Sequence, residues 1–309
     1  MRSLVFRLGS PGTVAGAALA AMLLGACNLT AFTANQTAPV LKAALPALSQ
    51  ESDLQFAREA APGNLKTVEG FLLASPDNEI FMAILAQGYC EYAFGFLETD
   101  VLEARLAHKT SVEEAAGKRA TTFYLRGMNY GLKLLGGNWE KVLYGEQKAF
   151  EDKVKGADKD QVPGMFFTAL GLASAVNLNR DDIEMVAYVA KARVLFERVV
   201  ALDPTFYNGG AHMALGMLYS AQSKAIGGDP ERGKKEFDTA IQMSGGKFLI
   251  PKVLMAASYG TVTHDQELFH KTLVQVLETS PAIYPDQRLA NEIAHVWAKD
   301  YLAHEKELF

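Results

Sequence analysis

Cysteine is nearly absent from this chain: there are two in 309 residues, Cys27 and Cys90. Two thiols so far apart make no disulfide framework. The six histidines are scattered, and no pair falls at the i, i+4 spacing that places two imidazoles on one helix face for a metal. Basic clusters are missing as well. With a net charge of −5 the chain is a poor partner for nucleic acid. Catalytic patterns are missing too: there is no Gly-x-Ser-x-Gly elbow and no His-Glu-x-x-His helix. Gly246-Lys247 is followed by Phe248, not the hydroxyl residue of a phosphate loop, and Val162 interrupts the calcium-loop start at Asp158 and Asp160. The expectation is therefore a protein that is not an enzyme and carries no cofactor and no metal. After the amino end, no segment reads as long and apolar enough to span a bilayer.

What is present begins at that end. Arg2 and Arg7 are the only charges before Cys27, and residues 13–26 are Ala, Leu, Val, Met, Gly and Thr. A short basic stretch, a short apolar run and small residues make an export signal, assigned here to residues 1–26. The run is shorter than the roughly 20 residues a spanning helix needs. Leu24-Gly25-Ala26-Cys27 looks like a bacterial lipobox, so Cys27 is expected to become the lipidated first residue. Several acyl chains on one residue suffice for stable anchoring. Asn28 follows the cysteine, which by known sorting rules favours the outer membrane. Losing the two arginines takes the net charge from −5 to −7. Residues 27–50, rich in Ala, Thr, Pro and Gln, read as a flexible tether of roughly 25–30 Å. Cys90, in an apolar run, reads as a small buried residue.

Strand signal is almost missing from residues 51–305, where apolar residues recur at three and four. Turn residues break the pattern at Pro76, Asn179, Asp203, 227–230 and Ser244. The fold class expected is all-α, with about eleven helices. Ala192, Phe196, Val199 and Pro204 are spaced four, three and five, and so are Phe269, Leu273, Val276 and Pro281. Gly233, Phe237 and Ala240 repeat the four-three step before Gly245. A second pattern sets a small residue beside a large one with an aromatic three later: Leu85-Ala86 with Tyr89, and Leu215-Gly216 with Tyr219. These spacings resemble tetratricopeptide helical hairpins stacked as a solenoid, with insertions at 99–111 and 137–160. A generic helical bundle is the alternative.

A narrower resemblance covers nearly the whole body. Asn64-Leu65-Lys66, Ser75-Pro76-Asp77-Asn78, Leu85-Ala86-Gln87-Gly88-Tyr89 and Tyr92-Ala93-Phe94 open it. Asn177-Leu178-Asn179-Arg180-Asp181, Leu202-Asp203-Pro204, Tyr207 and Gly209-Gly210-Ala211-His212 follow. Gly227-Gly228-Asp229-Pro230, Gly245-Gly246-Lys247-Phe248-Leu249, Lys252 and the stretch from Pro285 through Leu289 to Asn291 complete it. In order and content these stretches resemble the T component of tetratricopeptide-associated TRAP transporters. The resemblance implies a periplasmic or lipid-anchored helical scaffold that works with the solute-binding protein of an ATP-independent, ion-driven importer. It also implies a small homo-oligomer with an opening through each subunit. It carries over no catalytic residue. A small-ligand carrier and an envelope-assembly lipoprotein without a transport role are the competing readings.

Eight residues are candidates for contact with a ligand or partner. Tyr207 and Tyr92 would line an apolar channel with Phe166 and Phe167, or pack in the core. Asn177 and Arg180 close a helix, as caps or as ligand groups. His212 follows two glycines, as a structural histidine or a ligand group. Lys247 and Lys252 would neutralise an organic acid, or be solvated. Asn291 belongs to the last family-like stretch.

Overall fold

A computed structural model describes residues 29–309, and helices account for its regular structure, with no strand among the described residues. Cys27, expected to be lipidated, and the signal assigned to 1–26 lie outside the described residues. In chain order the helices are α1 (29–44), α2 (Pro46–Ser49), α3 (Leu54–Ala74), α4 (Glu79–Tyr92), α5 (Glu98–Leu106) and α6 (Thr110–Leu135). Then come α7 (Trp139–Leu143), α8 (Gln147–Lys155), α9 (Val162–Leu178), α10 (Ile183–Val186), α11 (Val189–Leu202) and α12 (Phe206–Ser220). The last six are α13 (Pro230–Met243), α14 (Ile250–Met255), α15 (Thr261–Thr263), α16 (Gln266–Glu278), α17 (Arg288–Ala303) and α18 (Glu305–Leu308). The expected eleven undercounts these eighteen, six of which have six residues or fewer. Short helices leave too few residues to show a 3.6-residue period.

The four-three register is the core. Ala192, Phe196, Val199, Phe237, Ala240, Phe269, Leu273 and Val276 are all fully buried. Pro204 and Pro281 stand just past the ends of α11 and α16, where a residue without an N–H stops a helix. Helix starts are set by side chains that accept orphan backbone donors. Asn78 accepts from the Phe81 N–H, Asp182 from Glu184 and Met185, Asp229 from Arg232 and Asp265 from Leu268. The small residues have the purpose the pattern implies. A Cβ on Gly216 would sit 2.9 Å from the Phe237 ring of the next helix, and one on Gly131 of α6 would sit 2.7 Å from Thr168 Oγ1 of α9. Helices α6 and α9 pack along each other on this close approach, as do α12 and α13.

Both expected insertions are helical. Residues 99–111 fall in α5 and the start of α6, and 137–160 contain α7 and α8. The second is pinned by a buried cation. Lys191 of α11 donates from Nζ to the Leu143 and Gly145 carbonyls, each at 2.6 Å, and lies over the Phe150 ring. It thereby satisfies orphan acceptors at the end of α7, where a positive charge is favoured.

Two expectations are corrected. The helix running Glu79–Leu106, through a π-turn at Ala93–Leu97, and the one running Lys159–Leu178 are long and apolar enough to cross a membrane by length and composition. Most of each is packed inside the body, so core burial accounts for their hydropathy. The proposed tether is not an extended coil over its described length. Residues 29–44 form α1, Ala34 and Ala38 are buried against α3 and α4, and Asn35 Oδ1 accepts from Ser75 Oγ and Asn78 Nδ2 at 2.7 Å each. Ala34 and Ala38, which fit between helices, and half-buried Leu41 dock it.

Phe196 lies between two other fully buried positions of its helix, so Phe196→Ala is expected to lower unfolding free energy in urea by about 3–5 kcal/mol. A change within about 0.5 kcal/mol, the range of surface substitutions, would show that the register is wrong.

Candidate functional site

The long α4–π–α5 helix carries a second stripe. Gln87, Glu91, Phe94 and Glu98 follow one another at four, three and four, and Arg105 lies seven further on. The first four keep partial solvent contact and Arg105 is exposed, while Ala86, Cys90, Ala93 and Leu97 beside them are fully buried. The row is half-buried: Tyr124 of α6 and Tyr207 of α12 reach its two carboxylates, making it an inner face of the packed helices.

Tyrosine hydroxyls hold both carboxylates. Tyr207 donates to Glu91 Oε1 at 2.6 Å, beside Gln87 Nε2 at 2.8 Å, and Tyr124 donates to Glu98 Oε1. Burial pushes the Glu91 carboxyl up, and the Tyr207 and Gln87 hydrogen bonds oppose it in part. Burial raises Glu98 to about 7, against the Tyr124 hydrogen bond and the Arg105 charge. Glu98 thus takes up a proton near neutrality. Cys90, fully buried, is an inert thiol pushed far above its usual range.

The backbone that delivers Tyr207 is strained. Tyr207, Asn208 and Gly209 have φ of 52°, 55° and 75°, a left-handed run inside α12. Left-handed geometry costs roughly 1–2 kcal/mol for each non-glycine residue. It is held by the Tyr207–Glu91 bond and by Tyr284, whose hydroxyl donates to Asn208 Oδ1 at 3.0 Å. The turn swings the Tyr207 ring against Phe166 and Phe167, with centroids 5.1 and 5.5 Å away. Tyr207 thereby packs on the buried Phe166 and Phe167 while its hydroxyl holds Glu91.

The eight candidate residues fall into separate groups. Tyr207 joins Glu91. Tyr92 is buried against Phe96 and Phe123 in the core. Asn177 accepts from Arg180 through Oδ1, closing α9. Arg180 is exposed, yet surrounding protein and then the nearby Arg105 charge lower its pKa. His212 is buried, its Nδ1 is 2.6 Å from Glu236 Oε2, and its Nε2 has no partner. Lys247, Lys252 and Asn291 meet at the α13–α14 turn. The Asn291 amide is fully used there: it accepts from Leu249 N–H and donates to the Lys247 and Pro281 carbonyls. Lys247 is exposed. Lys252 is 8% exposed, burial lowers its pKa, and its ammonium lies near Gly246 with no hydrogen-bond or ion-pair partner among the described residues. Glu91, Glu98, Asn208 and Arg105 were not among the candidates. Polar residues at helical spacing within the otherwise apolar 79–106 segment were the available signal.

No group of histidine, cysteine and acidic side chains suited to a metal occurs among the described residues. The described body is all-helical, with a half-buried row of polar and aromatic side chains along α4–α5. The protein-family model described as the TRAP transporter T-component matches residues 50–309, and the chain belongs to that family. No curated protein matches the chain.

The raised Glu98 carboxyl fixes a pH dependence. A carboxyl of higher pKa in the folded state stabilises the protein fully below its unfolded value, near 4.5, and loses that contribution as pH rises through about 7. Wild type is expected to lose about 1–3 kcal/mol more stability than Glu98→Gln between pH 5 and 8, measured by urea unfolding. Parallel pH profiles would show that Glu98 titrates normally.

Proposed function

We propose that this protein is a lipid-anchored periplasmic scaffold of a TRAP-type, ATP-independent importer. In this reading Cys27 carries the acyl anchor, at the outer membrane, and the body docks the soluble solute-binding protein. Membership of the T-component family over residues 50–309 is the observation that carries it. Packed helical hairpins present extended surfaces suited to binding another chain.

The internal face of α4–α5 supports a part in solute delivery. Half-buried Phe94 and Tyr207 offer apolar contact, and Arg180, with Arg105 close by in its ion pair with Glu113, offers positive charge to an acid group. Together they suit a hydrophobic organic acid. Lys252, buried without a partner, is a second place for a carboxylate, with Lys247 at its rim. Tyr92, Asn177, His212 and Asn291 serve this reading by positioning the walls. A homo-oligomer, no nucleic acid and no cofactor belong to the same reading. A carrier that holds the solute by itself is the second reading, favoured by the unpartnered Lys252 ammonium.

The test mixes the mature chain with a TRAP solute-binding protein encoded beside it, followed by sedimentation or calorimetry. A transient docking pair is expected to show a micromolar dissociation constant, about −8 kcal/mol at 1 μM. No association at about 1 mM, with and without solute, would remove the partner reading. Tight binding of an organic acid by the protein alone, lost in Lys252→Ala, would favour the carrier.

A further inference from the structure

Helix α1 lies before the family match at 50–309. It is apolar on two opposite sides. Ala34 and Ala38 face the α3–α4 hairpin and are buried. At 100° per residue, Phe32, Pro39, Ala43, Leu29 and Val40 fall on the opposite side, with Gln36 as the one polar residue among them. All five are exposed, Leu29 at 65%, Phe32 at 59% and Val40 at 65%. Phe and Leu on the outside of a docked helix are an apolar patch that a monomer in water has no reason to keep.

Two further observations point to what covers it. The stripe opens at Leu29, two residues after Cys27, so an acylated cysteine would hold this end of the helix at a bilayer. Residues 28–50 contain no acidic side chain in a chain of net charge −5, and Lys42 is their one charge. Lys42 is exposed on the side of α1 between the docked face and the stripe, and a long cationic side chain there extends toward phosphate headgroups.

We infer that α1 lies along the bilayer surface, with Leu29, Phe32 and Val40 in the boundary between headgroups and acyl chains and Ala34 and Ala38 on the protein. This rests on the lipid-anchored reading and changes its geometry. The body does not swing on a coil: α1 is fixed to α3 and α4, and Gln50 Nε2 donates to Asp286 Oδ1 at 3.1 Å just beyond α2. The membrane thus sees one face of the body, and the partner meets the remainder in a set orientation.

The test uses the full chain, processed in its host and reconstituted in vesicles of phosphatidylcholine and phosphatidylglycerol. A fluorophore is placed through Gln36→Cys, an exposed position between Phe32 and Val40, with Asp152→Cys on α8 as the control. Cys90 is buried and does not compete for the label. An interfacial helix sits roughly 5–10 Å deep, so the label at 36 should lose about half its emission to lipids brominated on their acyl chains and be shielded from aqueous iodide. The label at 152 should show the reverse, and Phe32→Asp should return the label at 36 to iodide. A label at 36 open to iodide and blind to brominated lipid overturns the proposal. So does one shielded from both, which would place a second protein copy on the stripe. The mass of Cys27, read separately, decides the anchor. Without acyl mass the anchor reading fails; with Cys27→Ser then leaving position 36 as the reactive thiol, quenching by brominated lipid would still sustain the membrane face and its absence would overturn it.

Discussion

A tyrosine ring buried between helices brings a hydroxyl that must find an acceptor, and this protein meets that constraint repeatedly with glutamate. Tyr89 donates to Glu69 at 2.6 Å, Tyr219 to Glu197 at 2.7 Å and Tyr259 to Glu231 at 2.9 Å. In each case the tyrosine follows a large and then a small residue: Leu85-Ala86, Leu215-Gly216 and Met255-Ala256. The small residue brings the neighbouring helix close, the ring fills the wedge that opens beside it, and the carboxylate on an earlier helix closes the bond. Packing alone would let helix pairs slide; a directional bond at the rim of each wedge fixes their register.

The same device turned inward makes the internal face. Tyr124 and Tyr207 hold Glu98 and Glu91 along one side of α4–α5, where burial favours the protonated carboxyl. At the outer wedges the carboxylate reaches solvent and the bond is structural. Inside, the acids share their surroundings with Phe94, Phe166 and Phe167, so the bond holds proton-binding groups beside an apolar surface. The left-handed run at 207–209 is tolerated because Glu91 of α4 and Tyr284 of the connection between α16 and α17 grip its side chains, a cost concentrated where the face is built.

Much of this was legible in the sequence, and the rest failed for physical reasons. The helical class and the four-three register at Phe196, Phe237 and Phe269 were readable because a fully buried stripe repeats at the helix period. The Leu-small-x-x-Tyr pattern was readable at Tyr89 and Tyr219. Its acceptors were not, because the glutamate stands 20, 22 and 28 residues earlier as connections vary. At Tyr259 the spacing is the same, but Met255 stands where the other two have leucine. Helix α1 was hidden by its threonine and proline content, which masks the short buried stripe of Ala34, Ala38 and Leu41. Of the site, Tyr207 was recognised as an aromatic, while Glu91 and Glu98 were masked by the apolar run around them.

The central claim is that a tyrosine–glutamate bond, not ring packing alone, ties the internal face together. A double-mutant cycle on unfolding free energy with Tyr207→Phe, Glu91→Leu and the pair tests it most directly. The bond predicts a coupling of about 1–3 kcal/mol between the two positions. Effects that add to within about 0.5 kcal/mol would contradict it, leaving Tyr207 and Glu91 as independent neighbours.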